Sequence, residues 1–506
     1  MIRFIIAALA LFLPGAVVAQ DMAHQFLLVG QIESLTVDDQ TDPLSGAVIK
    51  VHGIEVTLPK NLIIQMPARY LTATDIVDLN PAAPGVNSGL ALADTPPPLA
   101  SFEATVVGNI VGARYIAGLV WISQHSLAEG AGYIKDIGPD GEIHLVADPD
   151  PAAPAQPVTR IRINDPNGVF APPDPLADAR FMVDEANPTI HAGTGYPMCI
   201  AHAGAPGECP AANRPLGPDG APLGTFVMGT AGLPGSPAGA LPIPPCPGCD
   251  QTRQAPLMPG DYIIYAGTLA RDGAEIYVSA HTVEANVGIY TAPGVDPAYV
   301  LIEGSLIGTQ GPLIPRDPAV PGNTLPQETQ DRLKIEGVTT DPSRAIELYA
   351  IDVDATTGDT TLRLFNTVPV QPAPLGRYRL ILGARANALF DAGGTLVGAP
   401  RELMARVASG AALDGQPVPD LPLAAHGLVA GKYVAPFGEF IFAENKVFGD
   451  PILPDNFDCL PFLLKGSGPL TTTGPAGPVV GPLDPWPDTV PLPAVVNCGP
   501  RPKPLL

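Results

Sequence analysis

Apolar and polar residues alternate with a two-residue period along most of this chain, and the alternating runs stop at proline or glycine. The run Ala47-Val48-Ile49-Lys50-Val51-His52-Gly53-Ile54-Glu55-Val56-Thr57-Leu58 sets β-branched side chains on one face and ends at Pro59, the pattern of a half-buried strand or hairpin. Residues 141–146 follow a Pro139-Asp140 turn, residues 159–163 alternate in the same way, and residues 345–353 and 360–365 flank a turn. Helical patterns are few. With 63 prolines and 54 glycines in 506 residues, long helices are broken, and only residues 401–407 are predicted to form one or two helical turns. A hydrophobic fraction of 46% is enough for a core, and no Gly-X-Y period runs through the chain, so neither disorder nor collagen fits. The expected class is all-β.

A hairpin signature recurs. Thr105-Val106-Val107-Gly108-Asn109-Ile110-Val111-Gly112, followed by Tyr115-Ile116-Ala117, is echoed by Ala425-His426-Gly427-Leu428-Val429-Ala430-Gly431, followed by Tyr433-Val434-Ala435. A looser copy runs from Ile264-Tyr265-Ala266-Gly267 through Gly273 to Ile276-Tyr277-Val278-Ser279. In each copy the first glycine is expected to mark a bulge or close approach and the second a turn of positive φ. Similar opening strands, near residues 27–32, 132–137 and 300–306, precede each copy. The chain therefore parses into three tandem β modules, at 23–127, 130–287 and 298–448, each a small antiparallel OB-like barrel or a sandwich. The middle module carries a Pro/Gly/Cys-rich insert at 171–258, and a Pro-rich tail at 449–506 is expected to wrap a surface.

The N-terminus predicts export. Met1-Ile2-Arg3 is a short basic start, residues 4–13 an apolar run too short to span a bilayer, and Val17-Val18-Ala19 a small-residue cleavage site, so residues 1–19 are expected to be a signal peptide and Gln20 the mature start. Beyond it no apolar stretch reaches the ~18 residues of a membrane span. In an oxidising compartment the six cysteines, Cys199, Cys209, Cys246, Cys249, Cys459 and Cys498, are expected to form disulfides, with Cys459 to Cys498 tethering the tail and the other four paired among themselves. The Cys246-Pro247-Gly248-Cys249 pair also has zinc or redox spacing, but it lacks a second pair and a helix N-terminus.

Charge narrows the partners. Fifty acidic against 27 basic residues give a net charge of -23, which repels phosphate backbones and argues against nucleic acid, leaving an extracellular polymer, a cation or a surface. Carbohydrate binding would want exposed aromatic platforms, and of the two tryptophans, Trp121 and Trp486, the first is expected to alternate into a strand core. Zinc-protease, nucleophile-elbow and phosphate-loop motifs are absent from the sequence, and no cofactor is implied. The strongest polar cluster is Asp165 and Asn167 before the insert with His191, Tyr196 and His202 inside it. Met198, Cys199 and the two histidines are the ligand types of a copper site, although the downstream Met is missing and a Cys199 to Cys209 disulfide accounts for the thiol more simply. Asp352, Asp354 and Asp359 surround a tight turn but depart from calcium-loop order.

The runs Val56-Thr57-Leu58-Pro59-Lys60-Asn61-Leu62, Ile163-Asn164-Asp165-Pro166-Asn167-Gly168, Thr194-Gly195-Tyr196-Pro197-Met198-Cys199 and Asn286-Val287-Gly288-Ile289-Tyr290-Thr291-Ala292-Pro293-Gly294 resemble those of uncharacterised secreted proteins of bacteria and fungi, over most of the mature chain. The hairpin repeat also resembles small bacterial barrel domains of unknown function. These resemblances imply secretion and a shared layout, and carry no activity or site. The expected function is non-enzymatic binding or scaffolding at the cell surface. The alternatives are a secreted hydrolase or oxidoreductase with its site between the second module and the insert, and a metal-binding periplasmic protein.

Overall fold

A computed structural model describes residues 23–78, 90–95, 97–124, 128–150, 152–202, 208–234, 242–309, 333–353, 359–373, 375–382, 391–392, 395–396, 398–419, 421, 424, 426–442, 454–457, 460–464 and 481–488. The predicted signal peptide, Cys459, Cys498 and Asp354 lie outside the described residues. The protein is all-β. Among the described residues, no helix is long and apolar enough to cross a membrane.

The first module contains β1 (His24–Val37), β2 (Ala47–Val51), β3 (Ile54–Leu58), two-residue strands β4 (Ile64–Gln65) and β5 (Tyr70–Leu71), helix α1 (Ala73–Asp78), β6 (Glu103–Val111) and β7 (Arg114–Ser123). Strand β1 is long enough to serve two neighbours. Its second half pairs with β2 and its first half with β6, with a bulge at Glu33 between. Strand β3 then pairs with β7 in parallel, Val56 opposite Tyr115, which closes a five-stranded barrel in the order β1-β2-β3-β7-β6. Closure removes the sheet edges that an open five-stranded sheet would expose. The alternating residues seen in sequence fill it: Ile32, Ile49, Val56, Ala104, Val106, Val120 and Ile122 are all buried.

The second module repeats this connectivity with β8 (Glu129–Ile137), β9 (Ile143–Val146), β10 (Thr159–Ile163), β16 (Tyr262–Asp272) and β17 (Glu275–Ala285). The order is β8-β9-β10-β17-β16, again closed by a parallel pair, Ile163 opposite Ala280. Between β10 and β16 lie the short strands β11 (Ile190–Ala192), β12 (Met198–Cys199), β13 (Thr225–Met228), β14 (Pro245–Cys246) and β15 (Ala255–Pro256), and β18 (Gly288–Tyr290) follows β17 to pair with β13. This lobe is held by two disulfides, Cys199–Cys209 and Cys246–Cys249. It is also held by buried polar groups. Arg214 makes a two-pronged ion pair with Asp261 at 2.7 and 2.8 Å, and the fully buried Asn213 donates to the carbonyls of Asp250, Arg253 and Gln254 while accepting from Asp250 N.

The third module departs from the barrel plan. Strands β19 (Val300–Gly308), β20 (Leu333–Thr339), β21 (Ile346–Val353), β22 (Thr360–Val368), β23 (Arg377–Leu382), β24 (Asp391–Ala392), β25 (Thr395–Leu396), β26 (Glu402–Val407), β27 (Lys432–Pro436) and β28 (Glu439–Ile441) include two four-stranded sheets, β23-β20-β19-β28 and β22-β21-β26-β27. This is the sandwich alternative. The chain steps from one sheet to the other at Phe437-Gly438, and the residues expected to turn as a helix, 401–407, are a central strand. The reason is burial on both faces. Leu403, Met404 and Ala405 meet apolar neighbours on either side, so no period of two is legible.

The hairpin repeat is real for two of its three copies. Gly108 in β6 faces a bulge whose extra residue is Gly118, and Gly267 in β16 faces a bulge whose extra residue is His281. A Cβ on Gly108 would lie 2.1 Å from the carbonyl oxygen of Ile116, and one on Gly267 would lie 2.4 Å from that of Ser279, so only glycine fits. Gly427 is not equivalent: it sits in a turn at φ +87°, before β27 begins. The third module uses the same device on a different hairpin, where Gly337 of β20 faces the extra residue Glu303 of β19.

The modules pack together. One continuous core joins barrel 1 to module 3 and takes in Phe457, Leu460, Leu483 and Trp486 from the C-terminal segments. The amide of Asn109, wholly buried in barrel 1, donates to Asp455 O and Pro487 O. Asp484 of the tail and Lys60, just after β3 of barrel 1, exchange backbone bonds.

Candidate functional site

The residues singled out in sequence do not converge. Asp165 lies between β10 and the insert, and its fully buried carboxylate accepts from Gly168 N at 2.9 Å, Phe170 N at 2.6 Å and Ala171 N at 3.0 Å. It is the clasp of its own loop. Asn167 is exposed and bonds to Glu185. His191, in β11, turns Nδ1 to the carbonyl of the next residue, Ala192, at 2.8 Å, and burial pushes its pKa down. Tyr196 is fully buried, donates to Arg253 O at 2.6 Å and packs edge-on against Tyr299. His202 Nδ1 meets Ile200 O at 3.0 Å. Cys199 is consumed by its disulfide to Cys209, which leaves no thiolate for copper. Among the described residues, no three His, Cys, Asp or Glu side chains gather as a metal site. Asp352, the described part of the proposed calcium turn with Asp359, is paired with Arg363 at 2.6 Å.

The insert works as a hub between modules. Asn187 donates to Val434 O at 2.9 Å and accepts from Val434 N at 3.2 Å. Asp184 in turn accepts from the Asn187 side chain, and deep burial raises its pKa to about 6. Phe181 stacks on Phe102 of barrel 1 at 5.2 Å, and Arg69 donates to Ala179 O. A fourth link runs through His426. Its Nδ1 accepts from Leu428 N at 3.1 Å, so the ring proton sits on Nε2 and points at the Tyr299 hydroxyl oxygen, 2.9 Å away, while that hydroxyl donates to Gln251 O. Burial, with Arg253 nearby, lowers the His426 pKa to about 4.

Among the described residues, three cavities accompany these junctions. The one where all three modules meet, beside Asp184, Glu402 and Tyr433, has about 80 Å³, room for water and little else. A larger one of about 440 Å³ lies between Thr252, Asp296, Arg406, Ala424, Ala430 and Gly431. Its charged groups are already engaged: Arg406 by Glu347, Ser409 O and Ala411 O, and Asp296 by Arg344.

The third is a cleft of about 360 Å³ between the two barrels. One wall is the end of β7, with Trp121 and Ser123, and β4, whose register sets Gln65 directly beside Trp121. The other wall is the barrel 2 bulge, with Ala266, Gly267, His281 and Thr282, and Glu129 at the start of β8. Trp121 is half-buried on this wall, facing the cleft and not the barrel interior as its place in the alternation suggested. Its indole N–H is buried and finds no acceptor among the described residues. The cleft floor is fixed by Gln124 in the linker, which donates to Ala100 O of barrel 1 at 3.1 Å and accepts from Leu269 N of barrel 2 at 2.7 Å. Sequence reasoning missed this site because its residues come from four separated segments. The one available signal was Gly267, which marks the barrel 2 bulge on one wall.

Comparison with protein families, with curated proteins and with solved structures finds no match to this chain.

Proposed function

We propose that this is an exported protein that binds or scaffolds a partner at the cell surface and does no chemistry of its own, with the inter-barrel cleft as its ligand site. The observation that carries the reading is where the reactive side chains go. Asp165, His191 and His202 each turn to backbone groups of the insert, and Cys199 is oxidised, whereas the cleft keeps polar side chains on both walls. An active site needs a base within reach of a nucleophile or substrate proton, and none of these side chains is offered in that way. Export is supported by the basic, apolar and small-residue order of residues 1–19 and by the two disulfides, which suit an oxidising compartment.

The test has two parts. Full-length chain expressed in a bacterial host is expected in the exported fraction with Gln20 at its N-terminus. The purified mature protein is expected to bind whole cells saturably, with His191→Ala and His202→Ala binding as tightly as wild type. Turnover of a chromogenic ester, glycoside or peptide that His191→Ala abolishes would overturn the reading.

A further inference from the structure

The inter-barrel cleft has a chemistry that selects its ligand. Its volume of about 360 Å³ falls at the lower end of small-molecule sites, ~300–1,000 Å³. No Lys or Arg lines it among the described residues, and the chain carries a net charge of -23, so phosphates and other anions are not attracted. Among the described lining residues Glu129 is the one carboxylate, too few for a hard cation, which takes several oxygen ligands. What the walls carry around an aromatic ring is a pair of groups that each donate and accept, the Gln65 amide and the Ser123 hydroxyl beside the Trp121 indole, while on the facing wall His281 Nδ1 and Thr282 Oγ1 bond to each other at 2.9 Å. A ligand that matches this must present both donor and acceptor groups together with an apolar face. Sugars do so, since each hydroxyl donates and accepts while the ring C–H groups pack on an indole face.

We infer that the cleft binds a neutral saccharide, at the scale of a mono- or disaccharide unit, with Trp121 as the stacking platform and Gln65 and Ser123 as hydrogen-bonding partners. The indole N–H is buried with no acceptor among the described residues, a donor that a hydroxyl of the ligand can satisfy. Gln124 holds both walls through its bonds to Ala100 and Leu269, so the site is formed before the ligand arrives. The inference rests on the reading of this cleft as the protein's binding site.

The chain supplies its own reporter. Only two tryptophans are present, so Trp486→Phe leaves Trp121 as the sole indole emitter. The mature protein is titrated with neutral trisaccharides of glucose, mannose and N-acetylglucosamine, and separately with inorganic phosphate, citrate, calcium and an indole-sized aromatic. Calorimetry on the wild type runs in parallel in case the variant does not fold. A saturable change in emission, and heat on the wild type, is expected with at least one neutral sugar and with neither phosphate nor calcium. Gln65→Ala and Ser123→Ala are each expected to weaken it about fivefold, the loss of one neutral hydrogen bond. Binding of a non-sugar probe that Gln65→Ala weakens, with none from sugars, would overturn the saccharide assignment while keeping the cleft as the site. Silence of Trp121 and of calorimetry toward every probe, or sugar binding that neither variant alters, would overturn both.

Discussion

Replacing Asp165 with alanine separates a structural carboxylate from a catalytic one. In the native protein this side chain accepts three backbone N–H groups, from Gly168, Phe170 and Ala171. Phe170 and Ala171 are 0% and 2% exposed, so water cannot take the place of the carboxylate there without the loop opening. Each buried donor left without a partner costs about 1–3 kcal/mol. Two such donors, with Gly168 released to solvent and some relaxation of the loop, give about 3 kcal/mol against the local structure. Since about 1.4 kcal/mol is a factor of ten in an equilibrium constant, the amides of residues 168–171 should lose roughly 100-fold in hydrogen-exchange protection, while the β1 and β6 amides of barrel 1 keep theirs. Native-state exchange read by mass spectrometry on peptides spanning the loop measures this directly and avoids assigning one unfolding free energy to a chain of several modules. Asn167→Ala, two residues away and exposed, is the control and should change protection by less than threefold. If Asp165→Ala leaves the loop as protected as wild type yet removes a binding or turnover signal, the carboxylate belongs to a site and the structural account given above is wrong.

Other outcomes follow from the same contacts. Gly108→Ala and Gly267→Ala place a methyl against a backbone carbonyl and should each destabilise their barrel by about 1–3 kcal/mol or more in thermal melts, whereas Gly304→Ala, whose Cβ would meet nothing nearer than 3.8 Å, should cost under about 1 kcal/mol. The folded His426 ring binds its proton more weakly than the usual 6.5, with a pKa of about 4. Its stabilisation is therefore intact above about 6.5 and lost as pH falls toward 4, a span worth about 3 kcal/mol. The stability advantage of wild type over His426→Gln should shrink by that order between pH 7 and pH 4 in chemical melts. Asp184 runs the other way: with its pKa raised to about 6 its contribution grows as pH falls through 6, so Asp184→Asn should steepen the acid loss. Opening Cys199–Cys209, separated by 10 residues, should cost about 3 kcal/mol, and opening Cys246–Cys249, separated by 3, about 2 kcal/mol. Paired Cys→Ser variants under denaturant titration check the order.

The barrels were legible because their strands are buried on one face. Residues 47–58 and 159–163 show the period of two in plain view, and the recurrent glycines of barrels 1 and 2 occupy equivalent bulges. Module 3 was less legible for the converse reason. Strand β26 is buried on both sides, and Glu402 and Arg406 within it are accommodated by neighbours, so its sequence reads as a short helix. The disulfide partners of the insert could be narrowed by spacing, but the hydrogen bonds of Asp165 and His191 could not, since nothing in a one-dimensional pattern distinguishes a carboxylate aimed at its own loop from one aimed at a cleft. The cleft itself is assembled from β4, β7, β8 and the β16–β17 bulge, and Gln124 carries no motif at all.

The parallel pair that closes each barrel also sets the order in which the chain folds as it emerges. Barrel 1 is sealed when Tyr115 reaches Val56, so its strand pairing is complete once β7 has been released. Barrel 2 cannot be sealed until Ala280 arrives at Ile163, with the whole disulfide-bearing lobe looped out between them. Such a non-local closure is slow and leaves strand edges open. During that interval β10 presents an unpaired edge, and oxidation of Cys199 with Cys209 would shorten the loop to be closed. Barrel 1, whose closing pair is about half as far apart in sequence, is thus the unit expected to close first.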